Sequence, residues 1–298
     1  MLVKDLGEFK LIERFRKQIK PDSSLIVGSG DDCAVLRFDR QKFQLFTCDM
    51  IVENVDFTLK DDPYLIGRKA VAVSISDIAS SCGLPKHCLV SLGVPKNTPL
   101  KFLDRLFKGM SDICREYQIN IAGGDLSSSS KVIIDVSMLG LVEKKRLTLR
   151  SAAKPGDYIF VTGELGGSIL GKHFKFTPRI REARFLSENF KINAMIDVSD
   201  GLAQDLGHIL SQSKAGAVIY EELIPLSPQA RNLSDALNNG EDFELIFTMT
   251  QMEGKRLLKK RIINFKLIGE IVDKKYGFKL TYCSGKIKDI KLKGFTHF

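Results

Sequence analysis

The sequence predicts a mixed α/β protein of the α+β kind, built as two domains. Three observations predict it. Helical and strand-like segments interleave in both halves, and several strands are adjacent, which argues against a strictly parallel sheet. The 298 residues and 44% hydrophobic content suffice for two ordinary cores. The pattern restarts at residues 151–157 (SAAKPGD), where a Pro-Gly turn precedes a new strand, so a boundary falls near residue 148. The domains are then 1–148 and 149–298.

Residues 6–18 read as an amphipathic helix with Leu6, Phe9, Leu11, Ile12 and Phe15 on one side, stopped by PDSS at 21–24. A strand at 25–27 leads into the GSGDD turn, and a hairpin follows through 34–36 and 43–48. Asp62 offers a helix cap and Pro63 fits a first turn, so a helix runs over 64–72 towards the segment SISD. Residues 87–94 are short, apolar and closed by Pro95, as a strand is. Residues 99–117 form an amphipathic helix with Phe102, Leu103, Leu106, Phe107, Met110 and Ile113 inward. Strands at 119–122 and 132–142 flank a GGDLSSSS loop. Beyond the boundary come a strand at 158–162, a helix at 178–189, a strand and loop at 194–200, a helix at 201–213 and a strand at 217–220. NNGEDFELIFTM is a turn into a strand, followed by a helix near 251–260 and strands at 266–272 and 278–282. The passages at 75–78 and 198–201, each from an apolar run into a helix, echo one another.

No apolar run approaches the ~20 residues a membrane span needs. The first twenty residues lack the apolar core of a signal sequence, so the chain reads as cytoplasmic. The 6 cysteines form no C-x-x-C pair and read as reduced thiols. The net charge is +9. The basic residues are scattered, are not interleaved with aromatics, and no tryptophan is present, which disfavours nucleic acid and suits phosphorylated small molecules.

The chemistry lies in the aspartates. Asp31 and Asp32 sit in GSGDDCAVL, Asp49 in FTCDM, Asp77 in VSISDIA, Asp125 in IAGGDLS, and Asp197 and Asp200 in MIDVSDGLAQDLG. Singly, each is a turn or a helix cap: Asp77 and Asp200 both precede what reads as a helix start. Together they form a set of oxygen ligands that suits Mg²⁺, an ion that bridges to substrate phosphates. Extended neighbours point opposite ways, so one of Asp31 and Asp32 faces such a site. GELGGS at 163–168 reads equally as a backbone phosphate cradle or as a tight turn. The four histidines have no metal-ligand spacing, and His208 reads as a surface residue. The chain has neither a P-loop nor kinase signatures.

These motifs, with TCDMIVENVDF, AVSISDIASSCGLP, LRSAAKPGDYIFVTGELGGS, NGEDFEL and the terminal KGFTHF, resemble the thiamine-monophosphate kinase family nearly end to end and in order. The wider superfamily includes aminoimidazole-ribonucleotide synthetase, selenophosphate synthetase and a hydrogenase-maturation protein. The resemblance implies ATP with Mg²⁺ in a cleft between two α/β domains, the N-terminal sheets pairing in a homodimer. It implies that Asp31, Asp49, Asp77, Asp125 and Asp197 hold a magnesium cluster, with Thr47 and Cys48 in the same segment, and that Asp200 holds a further ion. Gly124, Asp125, Arg150 and Ser199 would contact ATP; Glu241 and Phe295 would contact thiamine. The implied reaction is direct in-line transfer from ATP to thiamine monophosphate with no covalent nucleophile. The rival readings are a superfamily enzyme with a different phosphate acceptor, or a non-catalytic nucleotide-binding protein.

Three departures bear on the acceptor. Asp56 stands where the family usually has His, and an anion there pairs with a thiazolium yet repels a phosphate. The family's G-G-E-D turn is Asn239-Gly240-Glu241-Asp242, and the segment 167–179 is shorter than usual.

Overall fold

The computed structural model describes residues 2–260 and 265–295, and the chain forms two mixed sheets flanked by helices. The N-terminal helix is split in two: Gly7, at φ 77°, separates α1 (Val3–Leu6) from α2 (Glu8–Arg16). The apolar side of α2 stays largely open, with Phe9, Ile12 and Phe15 all exposed.

The first sheet contains β1 (Leu25–Val27), β2 (Ala34–Arg37), β3 (Lys42–Val52), β4 (Leu84–Val94), β5 (Asn120–Ser128) and β6 (Ile133–Glu143), in the order β1-β2-β3-β6-β4-β5. Only β4 and β5 run parallel. The expected GGDLSSSS loop is therefore strand. Its Gly and Ser content reads as a loop, but pairing with β4 from His87↔Asn120 to Val94↔Ser128 overrides that propensity. Gly124 is required by this pairing, since a Cβ there would lie 1.8 Å from the Val90 carbonyl oxygen.

Helix α3 (Pro63–Ser80) lies on β3 and β6 and crosses α4 (Leu100–Glu116). Asp62 caps it as expected, accepting from the Tyr64 N–H at 3.0 Å, with Pro63 in the first turn. It does not stop at Ala72 but runs on through SISD. The alternation of Val, Ser and Ile imitates a strand, whereas nearly every residue of this stretch is buried and packing decides its state. Asp77 is consequently inside a helix and caps nothing, and the echo between 75–78 and 198–201 is not structural. On α4, Leu106, Met110 and Ile113 are buried as expected, but Phe107 is exposed.

The second half supplies β7 (Asp157–Thr162), α5 (Ile180–Asn189), β8 (Ala194–Asp197), α6 (Leu202–Ser213), β9 (Ala215–Tyr220), α7 (Leu233–Asn238), β10 (Leu245–Thr250), α8 (Gln251–Lys260), β11 (Phe265–Asp273), β12 (Phe278–Thr281) and β13 (Ile287–Asp289). Its sheet order is β13-β12-β9-β11-β7-β10-β8. Alternation sorts its faces: Phe160, Met195 and Phe247 join the core of the first domain, while Ile159, Val161, Ile196 and Ile246 pack under α6. The first of these cores is continuous across both halves and fixes their relative placement. The short α7 and β13 had no periodic signal to announce them.

Candidate active site

Helix α3 is the spine of the site. Lys69, Val73 and Asp77 are spaced i, i+4, i+8, so they share one face over roughly 12 Å of helix. At the Asp77 end, carboxylate oxygens of Asp32, Asp77 and Asp197 lie within 4.8 Å of one another. Each comes from a different element: the turn before β2, α3, and the last residue of β8. Hydroxyls hold the group in place. Thr47 donates to the Asp77 carboxylate, Ser76 donates to Asp197 Oδ2 at 2.6 Å, and Ser74 donates to Asp49 Oδ2 at 2.8 Å. Thr47 and Asp49 share the face of β3 turned to α3; Cys48 lies on the other face with its thiol exposed.

Asp32 enters this group and Asp31 does not. The arginine Arg150 ties the two together: its Nε donates to Asp32 Oδ1 at 2.9 Å and its backbone N–H donates to Asp31 Oδ2 at 3.1 Å. One of the pair thus enters the group, as expected, but it is Asp32, whereas the resemblance implies Asp31. Asp32 Oδ2 is buried and has no hydrogen-bond partner among the described residues. Burial pushes the Asp49 carboxyl up to about 6, with Asp135 and Asp32 adding repulsion against the Ser74 hydrogen bond. Burial and the Asp32 charge raise Asp31 to about 7 and Asp197 to about 8. Asp77 is raised well above the ordinary carboxylate value by burial and by Asp49, Asp197 and Asp32. Such mutual elevation is the signature of carboxylates crowded with too little counter-charge, Arg150 being one cation among several carboxylates. The orphaned Asp32 oxygen and the repelling neighbours fit a divalent cation with oxygen ligands.

A second group joins Asp200, Asp205 and His208. Asp200 does not cap α6; Asp205 reaches back instead and accepts the N–H groups of Asp200 and Gly201, each at 3.0 Å. His208 is half-buried, with Phe9 of α2 against its ring at 5.2 Å, and burial lowers it to about 4. The surface reading of His208 is corrected by this packing.

Beyond Asp49 the site opens into a cavity of about 460 Å³. Asp49, Asp56, Ser199, Asp200, Glu241 and Phe295 all line it, so residues 246 positions apart meet there. Phe295 is brought in by its N–H, which donates to the Asp200 carbonyl at 3.2 Å. The lining carries four carboxylates and two phenylalanines, Phe243 and Phe295, and among the described residues it includes no lysine or arginine. Asp56 Oδ2 accepts the Val52 N–H at 2.7 Å, which closes its own turn.

Gly124 and Asp125 are apart from these groups, exposed on the edge strand β5. The glycine-rich GELGGS turn binds the chain's own carboxylate: Gly166 N–H donates to Asp242 Oδ2 at 2.8 Å, and Ser168 also donates to Asp242. Leu165, Gly166, Gly167 and Ser168 are buried, so the tight-turn reading holds and no exposed cradle remains. Sequence reasoning missed Lys69 and His173, both buried beside Glu241. A lysine in an otherwise apolar helical run was the available signal for the first.

Residues 30–142 match the family model described as AIR synthase related protein, N-terminal domain, and residues 140–280 match its C-terminal domain. The chain is similar to AaThiL complexed with AMPPCP and TMP, with a TM-score of 0.87 at 29% identity over 100% of this chain and 99% of that one. It is 33% identical to the thiamine-monophosphate kinase of Bacillus subtilis, covering 98% of this chain and 100% of the relative. To that of Buchnera aphidicola subsp. Schizaphis graminum it is 36% identical over 99% of both chains. With relatives this similar over nearly the whole length, the chain belongs to the thiamine-monophosphate kinase family.

Proposed function

We propose that the protein transfers the γ-phosphoryl group of ATP to thiamine monophosphate, yielding thiamine diphosphate and ADP. The observation that carries this is the acidic and aromatic cavity set directly beside the aspartate cluster. Four carboxylates and two rings favour a cationic heterocycle, and a thiazolium is one. A lining of that charge is a poor phosphate site by itself, so the phosphate end of the acceptor belongs at the cluster. AaThiL, which shares this fold, is complexed with both AMPPCP and TMP.

Asp32, Asp49, Asp77 and Asp197 would hold Mg²⁺, with Asp31 beside them and Asp200 in a further site. The ion supplies charge neutralisation to the phosphates. The chain's own residues then position the reactants. Arg150 and Ser199 would meet the nucleotide, and Glu241 and Phe295 the thiamine moiety. An acceptor phosphate oxygen attacks the γ-phosphorus in line, the bond to the leaving ADP oxygen breaks, and no enzyme-bound phosphoryl group forms. Asp125 and Gly124, on the open edge of the first sheet, would reach a nucleotide from that side, and the open edge itself would pair with a second copy.

The test is product formation. Purified protein with ATP and Mg²⁺ should convert thiamine monophosphate and leave unphosphorylated thiamine unchanged. Asp56, in the wall where the family usually has His, favours one competing reading, a different phosphorylated acceptor. Consumption of ATP with another acceptor and none with thiamine monophosphate would establish that reading instead.

A further inference from the structure

Lys69 is among the largest wholly buried side chains of the described residues, at 0% exposure. Its Nζ donates to Glu241 Oε2 at 2.5 Å and to the Asp56 carbonyl at 3.0 Å. His173 Nδ1 lies 2.6 Å from the same Glu241 oxygen. Burial alone would raise the Glu241 carboxyl, but the His173 hydrogen bond and the Lys69 charge hold it below the ordinary carboxylate range. Lys69 Nζ also lies 3.0 Å from His173 Nδ1, so the three groups form one closed contact. Two side chains from different parts of the chain, α3 and the 167–179 segment, converge on one Glu241 oxygen.

The arrangement is one-sided. Neither Lys69 nor His173 lines the cavity, whereas Glu241 does. Both bonds use Oε2, and among the described residues Oε1 has no hydrogen bond, so the anchored carboxylate offers its second oxygen to the cavity. The backbone is committed to the same end. Glu241 and Phe243 hold φ of 68° and 51°, conformations that non-glycine residues keep only when the surroundings enforce them. Asp242, between them, is fastened to Gly166 and Ser168. A buried lysine serving the core alone would have no reason to leave its partner's free oxygen in a cavity wall.

We propose that Lys69 and His173 are positioning residues for the acceptor: they fix the Glu241 carboxylate so that Oε1 receives the cationic, hydrogen-bonding part of thiamine monophosphate. The claim rests on the acceptor reading above. It also makes α3 a ruler, with Lys69 setting the heterocycle end and Asp77 the phosphate end.

Steady-state kinetics of Lys69→Met test it. KM for thiamine monophosphate should rise about tenfold while KM for ATP stays within about twofold, the pattern of lost acceptor binding. In a Glu241→Gln background the same change should add less than about twofold, because coupled residues are not additive. His173→Gln, which leaves the buried lysine in place, should raise the same KM about threefold and serves where Lys69→Met fails to fold. Unchanged acceptor KM in folded Lys69→Met or in His173→Gln overturns the proposal, as does an equal rise in both KM values or equal effects in both backgrounds. Wild-type protein assayed alongside separates the two claims. Wild type that ignores thiamine monophosphate overturns the functional reading and this inference with it; active wild type with insensitive variants overturns only the inference.

Discussion

At the scale of single residues, the aspartate cluster is a store of electrostatic repulsion. Asp77 has its carboxyl raised far above the usual range by burial and by three neighbouring carboxylates. Replacing it with Asn should nearly abolish turnover while raising the melting temperature of metal-free protein, because a buried carboxyl that is costly to ionise becomes a neutral amide. Asp49→Asn should behave alike, and a variant at either position with wild-type turnover would sink the cluster. The pH dependence follows with a definite sign. Asp49, Asp31 and Asp197 have folded values near 6, 7 and 8, above those of the unfolded chain. The folded state thus holds more protons than the unfolded one across this window, so the stability these groups contribute is present at low pH and is lost as pH rises through 6 to 8. Thermal melts without divalent ions should show a falling midpoint from pH 5 to pH 8, and millimolar Mg²⁺ should restore more at pH 8 than at pH 5. A midpoint rising over that range without metal would contradict the crowding. Asp49, Asp77 and Asp197 were legible in sequence as motifs. Asp32 was not singled out, because the resemblance points to its neighbour Asp31. Lys69 was not either, because the side chains it meets are 104 and 172 positions away in sequence.

At the scale of elements, α3 shows how packing corrects local pattern. Its cap at Asp62-Pro63 was readable, but its C-terminal half was not, since Val71–Ile78 alternates like a strand and only burial on β3 and β6 makes it helical. The same burial lets Ser74, Ser76 and Asp77 reach three separate aspartate-bearing segments. What seats α3 is a pair of glycines. A Cβ on Gly67 would lie 2.0 Å from the Leu106 carbonyl oxygen, and one on Gly109 would lie 1.9 Å from that of Tyr64. Backbone against backbone leaves no flexible side chain to yield. Gly109→Ala should therefore cost about 1–3 kcal/mol of stability through overpacking, despite alanine's better helix propensity. Because α3 carries Lys69 and Asp77, it should also lower kcat. Denaturant unfolding that finds Gly109→Ala neutral or stabilising would show that α3 and α4 are free to separate. The β5 strand teaches the converse: Gly-Gly-Asp-Leu-Ser-Ser-Ser looks like a loop, and only its parallel partner β4 reveals it as sheet.

At the scale of the whole molecule, the two sheets face different problems. The second is covered on both faces, by the shared core and by α6. The first is covered by α3 and α4 on one face only. On the other, Phe46 and Met50 of β3 and Leu89 of β4 are exposed, at 43%, 56% and 49%. Beyond them β5 ends the sheet over nine residues that are almost all exposed, a long edge of backbone donors and acceptors with no charge other than Asp125. Edges of this length invite pairing unless they are blunted, and no Lys or Pro blunts this one. The pairing proposed above would supply the occupant, a second copy related by a two-fold axis. The expected outcome is a dimer in sedimentation velocity at micromolar concentration, and Leu89→Glu should shift it towards monomer by placing a charge on the apolar outer face. Since Gly124 and Asp125 lie on that same edge, the substitution should raise KM for ATP more than KM for thiamine monophosphate. A monomeric wild type at micromolar concentration, or a monomeric Leu89→Glu variant with unaltered KM for ATP, would detach nucleotide binding from the sheet edge and leave Asp125 without a role in the site.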